Sequence, residues 1–269
     1  MSAIGSPVGC PVGSPIGSPI GMEIRKLKRR RYWLMAAGAA GLEVAWLAAA
    51  TAKRAGGPVE MRLMALTLNE ALAMCSLALP IIAALLASRL ATVDTEERMG
   101  QLFTALGQRE GARFGAKLVL GSLSVMLGQL ALIAFTAVAG PGMGLEPTAD
   151  YQEAVWPIAV VMASASVAAA AVQLALATCV EKQAVGLGVG ALAGLVCSGL
   201  APARLEALGW ALPWGITTAA SPISSVTAIR SGAHFTVDHP WVNALLAVVA
   251  AMIWSLLARL AIAYKENHR

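Results

Sequence analysis

Six runs of about twenty apolar residues recur along this 269-residue chain, and nothing else constrains its fold as strongly. They cover roughly Tyr32–Thr51, Met64–Thr92, Lys117–Val138, Val155–Val180, Gln183–Leu200 and Trp241–Tyr264. A helix of about 20 residues crosses a hydrocarbon core about 30 Å thick. Lipid offers no partner to an exposed backbone N–H or C=O, so only helices and closed barrels span it. A barrel needs alternating segments of about ten residues, which these continuous runs are not. Composition agrees: 58% of residues are hydrophobic and 13% charged, against about 25% charged in an average soluble domain. The chain therefore reads as an all-α, polytopic integral membrane protein with six transmembrane helices. Pro80 inside the long second run invites a kink. Only Glu181 and Lys182 separate the fourth run from the fifth, which forces an antiparallel hairpin.

Orientation follows from the basic residues, which favour the inner side. With the N-terminus inside, the inner segments carry fifteen of the twenty Lys and Arg, and the outer ones only Lys53, Arg54, Arg62, Arg204 and Arg230. Both termini and the polar stretch Asp94–Lys117 are expected in the cytoplasm. The net charge of +5 thus reflects topology and gives no support to a nucleic-acid partner. Residues 1–21 stand apart as a Gly-Ser/Cys-Pro-Val/Ile repeat, with a proline every fourth residue. That spacing opposes a helix, and no basic start precedes an apolar core, so a disordered tail is expected rather than a signal peptide. Met22 opens a more usual membrane-protein start, with the tail as an upstream extension and 22–269 as one membrane domain.

Groups for catalysis or metal binding do not converge. Cys10, Cys75, Cys179 and Cys197 are scattered, without ligand spacing, and read as small apolar residues. His234, His239 and His268 fall in the last outer loop or at the C-terminus, without paired carboxylates. No Gly-x-x-x-x-Gly-Lys-Ser/Thr loop occurs, so no catalytic, cofactor or metal residue is assigned. Energy from ATP would have to enter through another polypeptide.

Within the membrane, Glu43 lies near the middle of the first run. An ionised carboxylate there costs several kcal/mol unless it is paired, protonated or facing water, so it should face the bundle or a translocation path. Substrate contact, proton relay and structural hydrogen bonding all remain open for it. Glu70 lies nearer the outer end of the second run. Gly186, Gly190, Gly194 and Ser198 recur every fourth residue on the fifth run. Such a ridge lets helix backbones approach closely, at a subunit or gate interface or in routine internal packing. Ala201–Pro240 is too long for a turn and too mixed for a span. Leu205, Leu208 and Leu212 share one face of a short helical piece, and Ser221-Pro222-Ile223 starts another. An interfacial or re-entrant segment in the outer leaflet is expected, with Trp210 and Trp214 in the headgroup belt.

In the stretch Asp94–Lys117, Met99, Leu102, Phe103 and Leu106 follow an i, i+3, i+4, i+7 pattern, one apolar stripe on a short helix. Asp94 and Glu97 suit a capping box, and Gly107 suits a stop. A capped amphipathic helix between two spans suits docking on a soluble partner, or lying on the lipid surface.

The arrangement resembles the ABC-2 type permeases, the membrane halves of ATP-driven exporters, over most of Met22 to Arg269. Glu23-Ile24-Arg25-Lys26-Leu27-Lys28-Arg29-Arg30 looks like that family's Glu-x-x-Lys-Leu-Lys/Arg-Arg approach to the first span. Glu96-x-x-x-Gly100, Leu106, Arg109 or Arg113, and Lys117 are similar to its Glu-x-x-x-Gly-Thr, Leu, Arg, Lys series, though Gln101 replaces Thr and Gly107-Gln108 replaces a Pro-containing turn. The resemblance implies a cytoplasmic coupling helix on which Glu96, Glu97, Arg98, Met99, Leu102, Phe103 and Leu106 meet a separate ABC ATPase subunit. It also implies a second permease subunit, identical or a sister, in a bacterial plasma membrane. ATP would be used by the ATPase chain, and no cofactor bound by this one. Size and layout look most like permeases that export lantibiotics, bacteriocins or related peptides, which gives self-immunity or antibiotic resistance as an expectation. Drug and lipid exporters share the frame. Two other classes compete: a secondary transporter using Glu43 and Glu70, which lacks an evident inverted repeat, and a membrane scaffold, which needs no capped helix.

Overall fold

Each apolar run forms one helix in the computed structural model, which describes residues 19–29, 31–96, 110–180, 182–223, 237 and 239–268. A short amphipathic helix α1 (Pro19–Arg29) leads into the six long helices α2 (Tyr32–Ala55), α3 (Met64–Glu96), α4 (Glu110–Ala139), α5 (Ala149–Cys179), α6 (Gln183–Leu200) and, after the small helix α7 (Ile216–Ala219), α8 (Pro240–Asn267). All six long helices have the length and apolarity to cross a membrane, and the described residues form no strand. The chain is an all-α polytopic membrane protein. An even number of crossings places α1 and the end of α8 on one face, here the terminal face.

Helix α5 sits at the centre, packed against α3, α4 and α8. Its sequence suits that place: Ala165, Ala168, Ala169, Ala171 and Ser166 are fully buried, and small side chains let neighbouring helices come close where lipid supplies no hydrophobic drive. Helix α3 lies beside it and is flanked by α2 and α6. On α6 the contact is backbone against backbone. A Cβ at Gly190 would lie 2.7 Å from Pro80 O, and one at Gly194 would collide with Leu77 O. Gly186 meets nothing within 4 Å, so the ridge does not pack on α3 along its whole length; Ser198 Oγ donates to Leu195 O of its own helix at 3.0 Å. Helix α3 continues through Pro80.

Several boundaries differ from expectation. Helix α4 begins at Glu110, so Arg113 and Lys117 lie inside it rather than in a loop. Helix α5 begins at Ala149, with Thr148 as N-cap accepting from Tyr151 N at 3.4 Å, and runs through Pro157. Asp94 is still within α3, so it does not cap a new helix. Pro19, Ile20 and Gly21 belong to α1 rather than to the repeat tail. A proline in a first turn has no hydrogen bond to lose, so the repeat can run into a helix there.

On the face opposite the termini, the loops are tied together. Glu146 N donates to Arg62 O at 2.7 Å and Met64 N to Glu146 O at 3.0 Å, which joins the α2–α3 and α4–α5 connections. The segment after α6 turns through a 3-10 helix, Glu206–Ala211, with Leu205 and Leu208 exposed, and then through α7. Gly209 and Gly215 approach so closely that a Cβ on either would clash with the other's backbone. Thr218 Oγ1 donates to Cys197 O at 3.1 Å, which docks α7 onto α6, and Trp210 and Trp214 are half-buried against the core.

Candidate functional site

Two places concentrate polar groups that a membrane bundle would otherwise exclude. The first is inside the membrane. Glu43 on α2 is buried, and Gln129 on α4 is fully buried opposite it. Gln129 Nε2 donates to both Glu43 Oε1 and Oε2 at 2.9 Å. The helices meet closely there, since a Cβ at Gly128 would lie 3.3 Å from Ala40 Cβ. The amide is placed to do what lipid cannot: it supplies donors to a buried carboxyl group. Gln129 Oε1 has no hydrogen-bond partner among the described residues.

Glu70 lies at the ends of α2 and α3 opposite the terminal face, where Arg54 Nη2 meets its Oε2 at 2.5 Å. Both side chains are partly exposed, so this pair contributes under about 1 kcal/mol. Each of the two carboxylates has a partner on an adjacent helix, Glu43 buried and Glu70 partly exposed.

The second place is the terminal face. On α1, Glu23 and Leu27 are one turn apart and both buried, and α1 packs on α4. On the first turns of α4, Arg113, Phe114, Lys117 and Leu118 are also buried. An amphipathic lead-in helix and the start of α4 thus form one joined unit at this face, and any force on either would reach α4 directly. Nearby, Ser88 Oγ meets Gln183 Oε1 at 3.3 Å, and Lys265 Nζ donates to Thr178 O at 2.5 Å. These tie α3 to α6 and α8 to α5 at the same end.

Of the residues expected to form the coupling helix, Glu96 ends α3. Glu97, Arg98, Met99, Leu102, Phe103 and Leu106 lie outside the described residues. The structure does fix the span they bridge, from the end of α3 to the start of α4. Gln129 and Arg54 were not singled out from the sequence. The signal for Gln129 was present, since it is an amide within an apolar run, the same criterion that marks Glu43. Among the described residues no group of His, Cys, Asp and Glu could hold a metal ion.

Residues 20–198 fit the family model described as ABC-2 family transporter protein. The match takes in α1 and the first five long helices and stops before α7 and α8. No curated protein and no solved structure matches this chain.

Proposed function

This chain belongs to the ABC-2 transporter family, and from that premise we propose that it is the membrane half of an ATP-driven exporter for a hydrophobic or amphipathic substrate. Membership makes it a membrane permease component of an ABC transporter, working with an ATPase partner. The family match over α1 to α6 is the observation that carries the reading. Both termini lie in the cytoplasm, as the fifteen-to-five division of Lys and Arg favours. Two permease subunits, identical or sisters, face each other above two ATPase chains.

The coupling segment is Glu96–Leu106, between α3 and α4. Leu102, Phe103 and Leu106 are its apolar anchor and Glu96, Glu97 and Arg98 its polar rim, a helix-in-groove contact. ATPase closure pushes on this segment. The push passes to α3 and α4, with which it is continuous, and to α1 packed on α4, as a rigid-body shift between inward and outward states. Substrate passes along α2, α3 and α6 and leaves near Ala201–Pro240. A peptide antibiotic is the favoured cargo, with self-immunity as the role, because size and single-domain layout resemble permeases of that kind.

The test is co-purification. Phe103→Ala with Leu106→Ala removes two large apolar side chains, about 2–5 kcal/mol of contact if both are buried in a groove. The permease should still insert while the ATPase is lost. Reversing Glu96 and Glu97 should weaken the complex less, and in a salt-dependent way. Retention of both the ATPase and full transport by the double alanine variant would remove the coupling role from this segment.

A further inference from the structure

A groove of about 420 Å³ opens between α4, α5 and α8, away from the Glu43–Gln129 pair and from the terminal-face unit. That volume lies within the about 300–1,000 Å³ typical of small-molecule sites. Its walls are apolar, with Met126 from α4, Val167 from α5, and Val248 and Met252 from α8. Ser164 from the middle of α5 is polar, and Ser255 and Arg259 of α8 lie toward the terminal face. On α8, Val248, Met252, Ser255 and Arg259 follow an i, i+4, i+7, i+11 pattern and so form one stripe facing the groove. The Ser255 hydroxyl oxygen is buried in the wall and has no hydrogen-bond partner among the described residues. Arg259 is exposed, and no described residue pairs with it.

The depth of this stripe identifies the occupant. Pro240–Ala258 carries no charge, and at 1.5 Å per residue it is about 28 Å long, close to the full hydrocarbon thickness. Arg259 therefore lies at the boundary on the terminal face. Val248 lies about 16 Å deeper, near the midplane. The groove thus covers one leaflet, with the Arg259 cation at the headgroup level and mainly apolar walls beyond. A phospholipid has its groups in that order: phosphate at the boundary, acyl chain beneath.

We propose that this groove is a binding site for an anionic phospholipid, its phosphate on Arg259 and one acyl chain along Met252 and Val248. A zwitterionic lipid brings its own cation and leaves Arg259 less well matched, so net negative charge is selected. That the leaflet is the cytoplasmic one rests on the orientation proposed above; the site does not.

Native mass spectrometry of the detergent-purified permease, titrated with phosphatidylglycerol or phosphatidylcholine of identical chains, tests this. The wild type should bind phosphatidylglycerol about fivefold more tightly, the factor expected from one basic group at the headgroup level. Arg259→Gln should bring that ratio to about one, and Arg259→Lys should keep most of it. Met252→Trp, which fills the groove, should weaken both lipids. Equal binding of the two lipids by the wild type, or a preference that survives Arg259→Gln, would overturn the proposal. So would disulfide-linked dimers through Met252→Cys in a background without the native cysteines, since a second copy would then cover the groove. ATPase co-purification is a separate readout, so the permease reading and the lipid site fail independently.

Discussion

Replacing Gln129 with Leu leaves the volume of the side chain nearly unchanged and removes the only hydrogen-bond donor to Glu43 among the described residues. The wild-type geometry has two contacts of 2.9 Å from one amide nitrogen, between helices α2 and α4. A hydrogen bond to a charged group is worth about 1.5–3 kcal/mol net, and orphaning a buried polar group costs about 1–3 kcal/mol. Interhelical bonds in membranes average only about 0.6 kcal/mol, because the separated helices also find partners. Here Glu43 is 4% exposed and Gln129 fully buried, so the higher range applies, and Gln129→Leu should cost about 2–3 kcal/mol. Glu43→Gln keeps a hydrogen-bonding partner and should cost less than about 1 kcal/mol. The double variant Glu43→Leu with Gln129→Leu removes both polar groups and should lie within about 1 kcal/mol of wild type. At about 2–4 °C per kcal/mol for a chain of this size, Gln129→Leu should melt about 4–12 °C lower. Fluorescence-detected size-exclusion melting of the purified permease reads this directly. The reasoning fails if Gln129→Leu melts within about 1 °C of wild type, or if the double variant is no more stable than the worse single one. Full export by the double variant would in addition remove Glu43 from any transport step.

The glycine contact gives a second prediction: Gly190→Ala and Gly194→Ala force α6 off the backbone of α3 and should each cost about 1–3 kcal/mol by overpacking. Gly186→Ala, with open space around it, should be neutral in the same melting assay, and equal effects at all three positions would refute the packing account. Topology gives a third: in a background lacking Cys10, Cys75, Cys179 and Cys197, an impermeant thiol reagent applied outside intact cells should label Gly142→Cys and spare His268→Cys. Both positions are exposed at opposite ends of the bundle, and the reverse pattern would invert the proposed orientation.

The apolar runs were legible from the sequence because the constraint that writes them is local. Each helix satisfies its own backbone and meets lipid on its own account, so length and hydropathy locate Met64–Glu96 or Pro240–Asn267 without reference to any neighbour. Glu43 was legible on the same ground, as a carboxyl group where none is cheap. Its partner was not. Gln129 lies eighty-six residues away, and which faces of α2 and α4 meet depends on small residues such as Gly128 and Ala40 touching across the gap. The same holds for α6: periodicity marks three glycines and a serine, but of the glycines only Gly190 and Gly194 lie against α3. Arg259 shows the division most clearly. From the sequence it is one more inner basic residue. Only the packing of α4, α5 and α8 sets it at the mouth of an apolar groove, because a void between three helices belongs to no single one of them.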